Sequence, residues 1–241
     1  MVGQVATSKR NLLKFASVAG ATFAGGLVVP SALAARSKNR SKSKTADEEA
    51  EITPPEDLMR EHGVLDRLLL VYGAGVRKFA SNDDFDPAII SGAAEIVRDF
   101  IENYHEKSEE ESVFPRFKKA GKMVSLVDTL LTQHRAGRRV TEAILQAVPG
   151  SRKNDDDRKR LVVSIQSFIA MYRPHAARED TDLFPLLRGL ISAREYNAMA
   201  EDFEKREHQL FGSDGFEMMA KRIASLEQQI GIDDLAQFTP R

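Results

Sequence analysis

A chain of 241 residues has room for one sizeable domain or two small ones, and 35 basic against 36 acidic residues leave a formal net charge of −1. So balanced a surface offers no electrostatic footprint for nucleic acid, and that partner class is set aside. The sequence has no cysteine, which excludes disulfides, thiol chemistry and thiolate metal ligation; a metal site must use carboxylates and the five histidines, His62, His105, His134, His175 and His208.

Residues 1–34 read as a cleavable leader. Lys9, Arg10 and Lys14 precede an apolar run from Phe15 to Val29, Pro30 follows, and Ala32-Leu33-Ala34 places small residues at the −3 and −1 positions of a signal-peptidase site. The run is rich in glycine and alanine and falls short of the ~20 strongly apolar residues that span a bilayer, so no stable membrane insertion is expected after cleavage. The stretch Ser8-Lys9-Arg10-Asn11-Leu12-Leu13-Lys14 resembles a twin-arginine export signal, with Lys9 where the first arginine would stand. The expected location is periplasmic or otherwise exported. Residues 35–53 are polar and basic at their start, without apolar periodicity, and read as a flexible linker.

From Pro54 to about Gln229 apolar residues recur at three- and four-residue steps and β-branched alternation is missing, which is the pattern of helices. The first helix is expected over about Glu56 to Ala80, with the stripe Leu58, His62, Leu65, Leu69, Tyr72, Val76, Phe79. The second is expected over about Pro87 to Glu111, and the third over about Met123 to Val148, with Val127, Leu131, His134, Thr141 and Leu145 on one face. Pro149-Gly150 and the polar stretch to Asp157 end the third. The fourth, about Arg158 to Glu179 or a little further, carries Leu161, Ile165, Phe168, Tyr172, His175 and Glu179. Two shorter helices follow, near Ala193 to Leu210 and Gly215 to Gln229, before a tail at 231–241. Short connections imply an all-α fold over 54–230: an antiparallel up-down four-helix bundle with one or two additional C-terminal helices packed outside.

The informative feature is a repeat. His105-Glu106-Lys107-Ser108-Glu109 continues to Phe114-Pro115, and His175-Ala176-Ala177-Arg178-Glu179 continues to Phe184-Pro185, so both read H-x3-E-x4-F-P. A lone histidine precedes each copy: His62 lies 43 residues before His105, and His134 lies 41 before His175. The chain therefore reads as two related helical hairpins. Residues i and i+4 of a helix share a face, so each His-x3-Glu aims an imidazole and a carboxylate at one point. His62 and His134 stand in otherwise apolar stripes and point the same way. Four imidazoles and two carboxylates can hold two metal ions, each with two histidines, bridged by Glu109 and Glu179. Donors of this kind without sulfur suit iron or manganese, with zinc possible.

On these residues the chain resembles the hemerythrin-like, histidine–histidine–glutamate cation-binding family. The resemblance covers about Pro54 to Gly212, including the Phe-Pro pairs and the segment Glu207-His208-Gln209-Leu210-Phe211-Gly212. It implies a four-helix bundle around an oxygen- or hydroxide-bridged di-iron pair. His62 and His105 would bind one iron, His134 and His175 the other, and Glu109 and Glu179 would bridge them. Oxygen-carrying members have a further histidine where Arg138 stands here, and a longer His-to-Asp spacing where His175-x3-Glu179 stands. Reversible oxygen carriage is therefore not implied. Glu106 is an alternative ligand, although it is rotated ~100° around the helix from His105. The expected function is non-haem di-iron binding of O2, nitric oxide or peroxide outside the cytoplasm. The alternatives are an enzyme turning over peroxide or nitric oxide, or a structural or sensor bundle with an inert metal. No catalytic residue is assigned. Arg138 reads as the counter-charge of a carboxylate near the site or as a group reaching solvent, and Tyr104 and Tyr172 as core packing with a hydroxyl near the site rather than as redox participants.

Overall fold

The structure, a computed structural model, describes residues 52–212 and 214–240. The expected leader, and all of the expected linker except Ile52 and Thr53, lie outside the described residues.

Among the described residues the chain is all-helical, in six helices. α1 spans Pro54–Ser81. α2 is one long rod (88–120), built in series from Ala88–Ile96, π-helical Val97–His105, a turn at Glu106–Ser108, π-helical Glu109–Val113, and Phe114–Ala120. α3 covers Val124–Ala147. α4 (155–187) runs through Asp155–Arg178, π-helical Glu179–Leu183 and Phe184–Leu187. α5 covers Ala193–Phe211 and α6 covers Gly215–Ile230. No helix among the described residues is long and apolar enough to cross a membrane.

The helix ends follow from local chemistry. Thr53 accepts a hydrogen bond from the Glu56 N–H, and Pro54 and Pro55 occupy the first turn of α1, where a missing N–H costs nothing. Asn154 accepts from the N–H groups of Asp156 and Asp157, and three aspartates in the first turn of α4 oppose the helix dipole. Ser192 and Glu195 form a reciprocal capping box at α5. Gly121 closes α2 at φ 63°, a left-handed conformation that glycine adopts without penalty.

One boundary differs from expectation. The second helix does not stop near Glu111 but continues to Ala120. A proline inside an α-helix lacks the N–H and presses its ring on the carbonyl four residues back. Here Pro115 and Pro185 each sit in the first turn of a new α segment, directly after a π segment whose wider turn accommodates the ring. The Phe-Pro pair thus re-phases the rod instead of ending it, and each of these two π segments opens on one of the two glutamates of the repeat.

The start of α1 lies beside the end of α4, with His62 Nδ1 2.7 Å from Asp180, and its end lies beside the start of α4, with Arg158 donating to Asn82 at 3.4 Å. α3 packs along α4, α2 touches both α1 and α3, and α6 lies against α1 and α2. Arg67 of α1 ties α6 in place through both carboxylate oxygens of Glu227, at 2.9 and 2.5 Å.

Two apolar clusters fill the interior. The larger gathers Leu65, Leu68, Tyr72, Ile90, Val97, Phe100, Ile144, Ile165 and Phe168, among others. The smaller gathers Leu58, Phe114, Phe117, Leu130, Phe184 and Phe203 with their neighbours. Each such buried side chain contributes roughly 1.5–3 kcal/mol of transfer free energy. Along every one of α1 to α4 the histidine lies between residues of the two clusters, as His62 does between Leu58 and Leu65 and His134 between Leu130 and Ile144. A polar layer is therefore sealed between two greasy ones.

Candidate metal centre

His62, His105, Glu109, His134, His175 and Glu179, the six residues singled out by spacing, converge in that layer. All six are buried, and Glu109, His134 and Glu179 have no accessible surface. The histidines meet in two pairs, tip to tip: Nε2 of His62 lies 3.1 Å from Nε2 of His105, and Nε2 of His134 lies 3.2 Å from Nε2 of His175. Glu109 Oε2 reaches one histidine of each pair, His105 at 3.7 Å and His134 at 3.4 Å. Glu179 Oε2 does the same, 3.4 Å from His62 and 3.1 Å from His175. Glu109, His134, His175 and Glu179 form one group whose donor atoms could hold a metal ion, and His62, His105 and Glu109 form another.

The outward ring nitrogens explain why the inner ones face the centre. His62 Nδ1 lies 2.7 Å from Asp180, His105 Nδ1 2.7 Å from Glu61, His134 Nδ1 3.1 Å from Glu110 and His175 Nδ1 2.9 Å from the amide oxygen of Gln133. An acceptor on Nδ1 fixes the proton there and leaves the Nε2 lone pair pointing inward, which is the tautomer a metal requires. These partners also follow the repeat: Glu61 and Gln133 precede the lone histidines, while Glu110 and Asp180 follow the inner glutamates. That register was readable in the sequence but was not read. The Phe-Pro phenylalanines complete the enclosure crosswise. Phe184 stacks on His62 with centroids 5.7 Å apart, and Phe114 on His134 at 5.5 Å.

The electrostatics are those of a site built for cations. Both oxygens of Glu109 and both of Glu179 are buried without a hydrogen-bond partner. Burial and the neighbouring Glu179 hold Glu109 well above the usual carboxylate range. Glu179 lies well below it: burial opposes its charge, but His175 and His62 outweigh burial. His62 is pushed up to about 9, because Asp180 and Glu179 outweigh the effect of burial. His105 is held well below its ordinary value by burial and by His62. Two carboxyl groups buried this close together repel when both are charged, and divalent cations between them would relieve that repulsion. The donor set, imidazole and carboxylate without sulfur, fits hard-to-borderline ions such as iron, manganese or zinc.

Glu106 does not join the inner set. Its Oε1 accepts from the Tyr172 hydroxyl at 2.6 Å, and its Oε2 pairs with Arg138 at 2.7 Å. Arg138 also donates to Glu110 at 2.8 Å, so it is the counter-charge of two carboxylates beside the site. Tyr172 fits only because residue 137 is glycine: a Cβ there would lie 1.9 Å from the phenol oxygen. His208 is exposed and apart from the cluster; its buried neighbour Glu207 instead accepts from the Phe216 N–H at 2.7 Å, in the first turn of α6.

Comparison with known proteins agrees with this geometry. Over 98% of its length the chain is 40% identical to uncharacterized proteins of Mycobacterium tuberculosis (strain H37Rv) and of Mycobacterium bovis, covering 92% of each. No solved structure matches the chain significantly. The description "Hemerythrin HHE cation binding domain" matches residues 53–187, the span that carries all six clustered residues. The chain belongs to the hemerythrin HHE cation-binding family.

Proposed function

We propose that the chain is a non-haem di-iron-binding protein that binds or senses O2, nitric oxide or peroxide, with α1 to α4 closed around the metals as an antiparallel up-down four-helix bundle. One observation carries this reading. Two tip-to-tip histidine pairs face each other, and each of two buried carboxylates touches one member of both pairs. In this reading His62 and His105 hold one ion, His134 and His175 the other, and Glu109 and Glu179 span them. A bound iron pair would supply redox chemistry for a small ligand. The chain's own residues orient the imidazoles, exclude bulk water through Phe114 and Phe184, and keep two carboxylates dry. Two carboxylates offset much of the charge of two divalent ions, which limits the cost of burying them.

Loading the full chain with ferrous iron without oxygen, followed by elemental analysis, should give close to two ions per chain. Absorption spectra should then change on admitting O2 or nitric oxide. A single zinc, or none of the iron retained, defeats the di-iron reading; two ions indifferent to either gas would mark a metal that only locks the helices. Stripping the metal should leave the helices largely formed yet lower the melting temperature, since a ligand at 100 times its Kd adds about 2.7 kcal/mol. The leader motivates a further part of the proposal: the mature protein begins at Ala35 and lies outside the cytoplasmic membrane. Full-length protein in the soluble cytoplasm would contradict it.

A further inference from the structure

We propose that the two metal positions are unequal, the His62–His105 position being the tighter and first filled, and that the inequality is set by the groups on the outward ring nitrogens. The inference rests on the dinuclear reading above. It arises from a break in the repeat. Each histidine of the first position turns its Nδ1 to a carboxylate, His62 to Asp180 at 2.7 Å and His105 to Glu61 at 2.7 Å. In the second position His175 faces the neutral amide oxygen of Gln133 at 2.9 Å, and only His134 faces a carboxylate. That carboxylate, Glu110, is itself drawn away by two cations, Arg138 at 2.8 Å and Lys107 at 2.8 Å.

A carboxylate accepting the Nδ1 proton pushes electron density into the ring and makes Nε2 the stronger donor, while an amide does so weakly. Negative charge near the ion adds attraction, and at the second position Arg138 offsets part of the charge of Glu106 and Glu110. The inner ligands do not account for a tighter first position: Glu109 and Glu179 each reach both pairs, each position has two imidazoles, and the shorter carboxylate distances lie at the second. The outer partners are what distinguishes the positions. Removal of such a partner changes metal affinity by about 10–100-fold, so the two dissociation constants should differ by at least about tenfold.

Cobalt(II) is a suitable probe, because it does not react with oxygen at once and reports its ligands by visible absorption. The metal-free full chain, titrated with cobalt(II) alone and followed by calorimetry and absorption, should bind two ions in two resolved steps. Gln133→Glu should tighten the second step and draw the two together. Glu61→Gln should weaken the first step about tenfold and leave the second in place. Asp180→Asn, at a side chain one-third exposed and so tolerant of change, should weaken the same first step even where Glu61→Gln fails to fold. Two equal steps in the unaltered chain, or weakening of the second step by Glu61→Gln or Asp180→Asn, overturns the inference and leaves the dinuclear site standing. Uptake of one ion or none overturns the dinuclear reading and the inference with it.

Discussion

The positions that flank the inner ligands of the first hairpin hold Glu61, Glu106 and Glu110; the corresponding positions of the second hold Gln133, Ala176 and Asp180. The Nε2 pairs of the two hairpins match closely, at 3.1 and 3.2 Å, while Glu109 lies 3.7 Å from His105 and Glu179 3.1 Å from His175. Their surroundings are not alike. Beside the first hairpin's glutamates lies a buried network of Glu106, Tyr172 and Arg138, and Ala176 gives the second no counterpart. The difference teaches which features the metal reading needs twice, namely histidine, glutamate and a stacked phenylalanine, and which a single copy can carry.

The largest expected effect tests the likeness. Glu109→Ala and Glu179→Ala should each weaken both metal positions by at least about 100-fold, since each removes an oxygen that reaches both histidine pairs. Elemental analysis after loading checks it, and a variant that keeps two ions breaks the equivalence of the hairpins. In the metal-free protein the sign reverses for Glu109: Glu109→Gln replaces a partnerless buried carboxyl by an amide that can donate, and should leave stability unchanged or raise it by about 1 kcal/mol in thermal unfolding.

A smaller effect sharpens the contrast between the hairpins. Tyr172→Phe leaves Glu106 Oε1 without its donor and should cost about 1–3 kcal/mol in denaturant unfolding. Gly137→Ala drives a methyl group into the phenol oxygen and should cost about as much. Combined, the two changes should cost somewhat less than their sum, because removing the hydroxyl relieves the closest contact at 1.9 Å while the ring carbons at 2.7 and 2.9 Å remain. Strict additivity would show that Gly137 does not serve Tyr172. The smallest effect is expected at His208: His208→Ala, on the exposed face of α5, should shift stability by less than ~0.5 kcal/mol and leave the metal content unchanged.

Six helices and most of their ends, though not the end of α2, were legible because apolar period, capping residues and prolines all act locally. The convergence of His62, His105, Glu109, His134, His175 and Glu179 was legible because a repeated His-x3-Glu has one geometric meaning on a helix. The π segments were not. The sequence shows Pro115 and Pro185, but whether a rod ends there or widens depends on what Phe114 and Phe184 pack against, and those partners lie on other helices. The outward acceptors were missed for a related reason. Glu110 stands in a run of three glutamates that resembles a solvated face, and only the approach of α3 gives it His134 and Arg138. The role of Arg138 as a counter-charge was foreseen, but its partners and its dependence on Gly137 through Tyr172 were not.

The crossing of contacts between the hairpins bears on time rather than on affinity. Glu109 of the first hairpin touches His134 of the second, Glu179 of the second touches His62 of the first, and each phenylalanine lid covers the other hairpin's histidine. Neither hairpin therefore encloses a complete exit path of its own. An ion held there would touch donors of both hairpins, so its release should follow the parting of the hairpins more closely than the local fraying of one helix.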